Sequence, residues 1–382
     1  MKHAEQVRLI DTCLLHIDEK TTQTCEQEHF SPVYKYHQQE WFDKEMDAVF
    51  RGNPSLVAHT SEFIEEINYI THDLFGTPII ITKIGDGEYK ALINVCRHRG
   101  VKLEQSPSGC KNRFVCPYHG WMFSNDGQLK GVPFAEGFPS LDKAENSLVE
   151  LPLWHRDGFI FVLADGNFDF DFENFWAPLA PDFDNYDTAN LQSYHPVTKT
   201  WQVNWKIVTG GGLETYHFKV THAKSIAPYF FNNISICDNL SPHFRVTMPR
   251  QSINSLSGTD KASWDIRQHS HIVYQVFPST AFILEDDHLA MFSMKPIGPD
   301  QTEITFRMLV PKDRLTESDK AHWQRNHKIT SVTLDEDFEI GQLIQAGIKS
   351  GANEHLRFGL FEGGLAQLEV LIDQAVANHK QG

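Results

Sequence analysis

The sequence predicts an α+β chain: an antiparallel β domain first, then a larger antiparallel sheet that C-terminal helices cover. Three observations carry that expectation. From about residue 55 the apolar residues gather into short β-rich runs separated by glycine turns. Between 271 and 310 they alternate with polar residues, the period of half-buried strands. Beyond Ser318 the spacing becomes that of helices. With 382 residues the chain is long enough for two or three structural units and a sizeable core.

Taken in order, 1–54 reads as an N-terminal arm whose second half, Gln39 to Arg51, is a short helix with Trp41, Met46, Val49 and Phe50 as its apolar contacts. The β-rich runs 78–84 and 89–95 flank Gly85-Asp86-Gly87, a hairpin signal, and the second run delivers Cys96. Further short strands are expected at 113–116, at the turn Ser124-Asn125-Asp126-Gly127, and at 157–162. Together they make a β domain over 55–165 with two cysteine- and histidine-bearing loops at one end. The stretch 165–187, rich in Asp, Phe, Pro and Asn, reads as a linker with a short helix near 172–179. The last unit, 166–382, holds strands at 271–277, 281–284, 289–294 and 304–310. Two helical segments complete it: 318–350, expected to be broken, and 361–380, with Leu365, Leu368, Ile372 and Ala375 on one stripe.

Composition excludes several function classes. Thirty-four Lys and Arg against 50 Asp and Glu leave a formal net charge of −16, which disfavours nonspecific binding to nucleic acid or anionic membranes. A basic redox partner would suit that surface, and so would plain solvation. No apolar run approaches the ~20 residues of a membrane span. The first residues carry no apolar signal segment, so a cytoplasmic location is expected. Six cysteines in this length are no disulfide framework; Cys13, Cys25, Cys110 and Cys237 read as reduced thiols.

Two segments carry the first chemistry, Cys96-Arg97-His98-Arg99-Gly100 and Cys116-Pro117-Tyr118-His119-Gly120-Trp121, with 17 residues between His98 and Cys116. Each offers one thiolate and one imidazole. Two Cys and two His in paired loops can hold a structural zinc or a Rieske 2Fe–2S cluster, in which two imidazoles replace two thiolates on one iron. A zinc finger usually groups its cysteines in one half and its histidines in the other. The mixed halves found here suit the cluster, and both segments resemble the ligand loops of Rieske proteins.

The second candidate site lies in 204–222. His217 and His222 are five residues apart, ~140° around an ideal helix, so a helix aiming both at one ion must end or loosen between them. Val220 and Thr221, both β-branched, permit that. A third ligand is Asp337, which helical spacing puts on the stripe of Leu334, Phe338, Gly341, Ile344 and Ile348. A carboxylate on an apolar face is costly unless paired or metal-bound. Two histidines and a carboxylate with open positions form the facial triad of non-haem iron(II) oxygenases; a buried salt bridge or a helix cap would also account for Asp337. Asp335, Glu336 and Glu339 fall towards solvent. Ile226 to Phe231 can line an apolar pocket or be plain core. His155, His195, His243 and His288 carry no partner pattern and read as ordinary surface or core residues.

The order of these parts resembles the catalytic α subunit of Rieske non-haem iron oxygenases, the aromatic-ring-hydroxylating dioxygenase family, over nearly the whole chain. The resemblance implies Cys96 and Cys116 on one cluster iron, His98 and His119 on the other, and His217, His222 and Asp337 on a mononuclear Fe(II) within a helix-grip fold. It also implies a homotrimer in which an acidic residue, here Glu214, bridges the cluster of one subunit to the iron of its neighbour. Two departures stand out. The bridging residue is more often Asp in ring-hydroxylating members, and Glu occurs in members that oxidise quaternary ammonium compounds. Thr209-Gly210-Gly211-Gly212-Leu213 stands where polar or acidic residues are common, and its glycines weaken any helix starting there.

The expected activity is dioxygen-dependent hydroxylation of a small aromatic or related apolar substrate, by mono- or dioxygenation. The alternatives are a quaternary-ammonium monooxygenase or N-demethylase, or a noncatalytic Rieske electron-transfer or binding protein. No nucleotide-binding glycine fingerprint is present, so NAD(P)H electrons must arrive through a separate reductase, with or without a ferredoxin.

Overall fold

The computed structural model describes residues 1–379; the end of the expected C-terminal helix, at Lys380, lies outside them. The chain forms two compact units. One is Phe50–Phe172. The other joins Met1–Val49 to the chain from Glu173 onward, so the first 49 residues of the N-terminal arm read over 1–54 group with the larger unit.

The smaller unit is antiparallel throughout. A five-stranded sheet runs Glu150–Leu151, Glu88–Ile93, Thr77–Gly85, Tyr69–Leu74, Ser108–Gly109, and a three-stranded sheet runs Leu153–Arg156, Phe159–Val162, Ser55–His59. Ile79, Ile80 and Ile81 are all fully buried, because the strand carrying them has a core on both faces. A third sheet, Arg113–Val115, Met122–Ser124 and Leu129–Gly131, supports the second Cys–His loop. Phe114, Trp121 and Phe123 pack there with Cys96 and Cys116 in one core.

In the larger unit seven antiparallel strands lie in the order Leu191–Trp201, Gln301–Pro311, Leu289–Gly298, Thr280–Leu284, Ser270–Val276, His243–Pro249, Ile236–Leu240. Lys320–Lys349 is one unbroken helix of 30 residues, roughly 45 Å long. The expected break is absent, and Gly341 within the helix packs closely: a Cβ there would come within 3.0 Å of Val203 Cγ2. Trp323 and Phe338 of this helix pack against Phe292, Met294, Ile304, Phe306 and Met308 of the sheet. The final helix, Gly363–His379, buries Leu368, Ile372 and Val376.

The N-terminal residues hold a helix the sequence reading missed, His3–Glu19, buried through Leu9, Ile10 and Cys13. The expected helix near 39–51 forms as Gln39–Glu45 and continues with a π-helical turn to Arg51. It places Glu45 in the core, where the carboxylate accepts from Trp41 Nε1 (2.6 Å), Trp205 Nε1 (2.9 Å) and Lys206 Nζ (2.6 Å). A buried carboxylate is tolerable only when paired and hydrogen-bonded in this way. The linker 165–187 contains two short helices, Phe172–Trp176 and Ala180–Phe183, with Trp176 and Phe183 buried.

Candidate metal centres and cavity

The two Cys–His loops close by the same local device. Gly100 N–H donates to Cys96 O and Gly120 N–H to Cys116 O, each at 3.0 Å; Cys96 N–H donates to Val101 O and Cys116 N–H to Trp121 O, each at 2.8 Å. Both glycines have positive φ (75° and 73°), which a side chain would oppose. The sulfurs are buried and adjacent; burial, then the neighbouring Cys116, raises the Cys96 thiol. The His98 and His119 rings lie 4.7 Å apart, with Trp121 stacked on His98 at 4.9 Å. His98 Nδ1 is buried with no hydrogen-bond partner.

Those donors fit two irons better than one. No three of Cys96, His98, Cys116 and His119 bring donor atoms within 4.8 Å of one another, as a single tetrahedral zinc requires. A two-iron cluster spreads its ligands over a larger span.

The other centre is assembled from distant segments. Asn204 caps the helix Trp205–Gly211 by accepting from Lys206 N (2.9 Å), and Gly210 and Gly211 stand at the C-terminal end of that helix. Phe218–Thr221 is a single helical turn with His217 and His222 at its two ends. The helix therefore spans only the interval between the imidazoles, and the five-residue spacing does not turn them apart. Asp337 arrives from the long helix. Its Oδ1 is 2.9 Å from His222 Nε2 and 3.5 Å from His217 Nε2. These three residues are the one group among the described residues whose ligand atoms all lie within 4.8 Å of one another.

Each imidazole is held from behind by a second carboxylate. Glu214 pairs with His217 Nδ1 and also accepts from His217 N–H at 3.2 Å. Glu336 Oε2 lies 2.8 Å from His222 Nδ1 and accepts from Ser225 Oγ at 2.5 Å. Glu336 thus contradicts the expectation that it is merely solvated, since it is tied to a residue 114 positions away. Nothing local in the sequence marks that role. Asp335, by contrast, pairs with Lys199 at 2.7 Å at the surface, and Glu339 is exposed.

Burial lowers the His222 imidazole, but the hydrogen bonds and charges of Asp337 and Glu336 outweigh it and leave the ring raised. A ring pressed between two carboxylates favours positive charge, which a divalent cation can supply. His217 Nε2 is buried with no hydrogen-bond partner and aims into the same space. Two neutral imidazole nitrogens and a carboxylate, each nitrogen oriented by an acidic partner, are the donor set of a mononuclear ferrous site.

Between the long helix and the sheet lies a cavity of about 1220 Å³ that reaches this triad. Its walls include Phe218, Phe230, Phe292 and Phe338, and the Gly210–Gly212 run. A Cβ at Gly211 would meet nothing within 4 Å, whereas one at Gly210 or Gly212 would touch Leu365 or Val273 at 3.5 Å. Of the segment expected to line a pocket, Ile226, Pro228, Tyr229 and Phe230 do so. At another part of the wall Glu285 pairs with Arg250 and with His271 Nδ1 (2.7 Å). Burial pushes the Glu285 carboxyl up, but His271 and Arg250 hold it down to about 2. His288 also lines the cavity, contrary to its reading as an ordinary residue.

Comparison with known proteins agrees with this architecture. Residues 53–142 match the Rieske [2Fe-2S] domain, and residues 183–378 match the ring hydroxylating alpha subunit (catalytic domain). The chain is 27% identical to the glycine betaine monooxygenase oxygenase subunit of Chromohalobacter salexigens, covering 85% of this chain and 80% of that protein. It is 26% identical to the carnitine monooxygenase oxygenase subunit of Acinetobacter baumannii, covering 90% and 94%. A quaternary ammonium Rieske monooxygenase solved with L-carnitine has the same fold (TM-score 0.76, 24% identity, 91% of this chain and 95% of that one). Naphthalene 1,2-dioxygenase from Rhodococcus sp. shares it too (TM-score 0.75, 19% identity, 97% and 98%). No helix is long and apolar enough to cross a membrane among the described residues. With a Rieske domain preceding the catalytic domain that fills half its length, the chain belongs to the ring-hydroxylating alpha subunits: it is a Rieske non-haem iron oxygenase, using a 2Fe–2S cluster and a mononuclear iron.

Proposed function

We propose that the chain is the oxygenase component of a monooxygenase acting on an N-methylated amine or quaternary ammonium compound. His217, His222 and Asp337 hold the iron, Cys96 and Cys116 hold one cluster iron, and His98 and His119 the other. The observation that carries the catalytic reading is the convergence of the triad, with Glu214 and Glu336 fixing the ring orientations. When bound, the cluster and the ferrous ion supply electrons and dioxygen activation. The side chains supply the rest. Glu214 and Glu336 retain the Nδ1 protons, so that both Nε2 lone pairs face Asp337. Phe218 and Phe230 line an apolar approach that keeps water from the substrate.

The amine substrate is favoured over an aromatic ring by Glu214, which stands where ring-hydroxylating relatives more often have Asp, and by relatives named for glycine betaine and carnitine. Aromatic faces also suit a quaternary ammonium ion. An aromatic substrate is the second reading. It is favoured by 30% identity over 189 residues to the anthranilate 1,2-dioxygenase large subunit of Acinetobacter baylyi, covering 48% of this chain. Rieske oxygenases take electrons from a reductase; we assign this one a separate NAD(P)H reductase, with or without a ferredoxin, a cytoplasmic setting and a homotrimer in which Glu214 lies at the bridge between subunits.

The test is iron and acid-labile sulfide on anaerobically purified protein, followed by turnover with a surrogate reductase. About three irons and two sulfides per chain are expected. Formaldehyde release from N-methyl substrates supports the amine reading, and hydroxylated ring products without it support the aromatic one. About two irons, with no uptake of added ferrous ion, would overturn the oxygenase assignment of the triad in favour of an electron carrier.

A further inference from the structure

Three residues that line the cavity each carry a side-chain atom buried without a hydrogen-bond partner: His217 Nε2, Thr333 Oγ1 and His288 Nε2. Burying a polar group unpaired is costly, and native structures rarely do it without a reason. The metal accounts for His217. Thr333 lies four residues before Asp337 on the long helix, and so on the same face. His288 sits in the turn between the strands Thr280–Leu284 and Leu289–Gly298.

His288 is built to present that nitrogen. Its side chain is 6% exposed, and Nδ1 lies 2.9 Å from Asp287 Oδ1. Asp287 is itself fixed by His322 Nε2 (2.8 Å) and Arg314 Nη1 (3.2 Å). A carboxylate at Nδ1 favours the proton there and leaves Nε2 an unpaired acceptor on a residue that lines the cavity. Nearby, Glu285 has Arg250 on one oxygen and His271 on the other, so it has no free carboxylate oxygen for a ligand. One wall of the cavity is aromatic from the triad to His271, the partner of Glu285. Ring centroids follow one another from His222 to Phe218 (5.3 Å), Phe230 (5.7 Å) and His271 (5.7 Å).

We propose that His288, held by Asp287, is a substrate-binding residue that accepts a hydrogen bond from a hydroxyl on the substrate, at the end remote from the carbon oxidised. The matching substrate is elongated, apolar or cationic beside the iron, and hydroxyl-bearing at the far end. A carboxylate there would set its lone pairs against that of Nε2, and a second ammonium would find no unpaired negative charge. This deepens the oxygenase reading and rests on it. It does not depend on which group faces the iron.

The test uses the ferrous holoenzyme under anaerobic conditions, with calorimetric binding of two probe series. One series carries a trimethylammonium end and the other a phenyl end. Each is joined through alkyl chains of graded length to a terminal hydroxyl, methyl or carboxylate. In at least one series the hydroxyl probe of the best length should bind at least about tenfold tighter than its methyl counterpart. His288→Phe should erase that preference without weakening the methyl probe, and His288→Gln, whose amide oxygen can accept, should keep part of it. Cluster absorbance and iron content report whether either variant folds. Equal binding of hydroxyl and methyl probes at every length, tightest binding of the carboxylate, no binding of any hydroxyl probe, or a preference that survives in folded His288→Phe would each overturn the proposal. Phenyl probes outbinding trimethylammonium ones whatever their far end would overturn the amine reading alone; the hydroxyl-to-methyl ratio within the phenyl series would still decide His288.

Discussion

The Cys–His loops and the His–His–Asp centre solve the same problem, aiming hard-to-bury donors at one place, by opposite means. Each loop closes over five residues with its own backbone hydrogen bonds and a glycine at positive φ. The triad draws on the short segment 214–222 and on the distant helix Lys320–Lys349, and its imidazoles are oriented by Glu214 and Glu336 from those same two segments. A locally closed site depends on the conformation of its own loop. An assembled site depends on everything that fixes the two segments against each other, and should fail when distant supports are removed.

The largest effect should come from Asp337→Ala. Turnover should be lost and iron should fall from about three to about two per chain, while the cluster absorbance stays. Turnover surviving that change would mean the assembled centre is not where the reaction occurs. Next in size is Lys206→Met, which strands Glu45 in the core just ahead of the segment bearing His217. Removing one partner of such a buried pair costs about 3–5 kcal/mol. Denaturant unfolding of the larger unit should show that loss, with the cluster bleaching at an unchanged midpoint.

Acid should expose a further support of the cavity wall. Glu285 has its carboxyl lowered from 4.5 to about 2, against its burial, by His271 and Arg250. A depressed carboxyl contributes stability that is fully present above pH 4.5 and is lost as pH falls from there towards 2. Thermal melts across that window should steepen for the wild type and flatten for Glu285→Gln. Glu336→Gln keeps the shape but weakens the hold on His222. Iron affinity, read by chelator competition, should fall about 10–100-fold with the cluster intact. The smallest change is at the local centre: Gly100→Ala or Gly120→Ala forces a side chain into the left-handed region at about 1–2 kcal/mol. It should lower the temperature at which the cluster bleaches and leave iron uptake by the triad unchanged. If it disturbed both centres equally, the contrast between local and assembled sites would fail.

The same contrast explains which parts of this protein were legible in its sequence. Cys96, His98, Cys116 and His119 sit in short segments whose spacing, glycines and aromatic neighbours are all contiguous, so residue order alone suggested both the loops and a two-iron cluster. The hairpin at Gly85-Asp86-Gly87, the alternating strands after 270 and the C-terminal helix were visible for the same reason, because each is a period or a turn. The helix at His3–Glu19 was missed because its buried face is narrow, only Leu9, Ile10 and Cys13 among charged residues. The break expected in 318–350 does not occur, and Gly341 within that helix lies close against Val203. Asp337 could be singled out as a carboxylate on an apolar stripe, whereas its neighbour Glu336 could not, since its partner is His222. His288 looked ordinary because the groups that fix its neighbour Asp287, His322 and Arg314, and the cavity that His288 lines are brought to it only in three dimensions. Sequence determined what is set by neighbours along the chain; the tertiary structure alone decided that Glu336 faces His222 and which polar atoms remain unpaired, because burial and long-range pairing depend on distances that chain order does not contain.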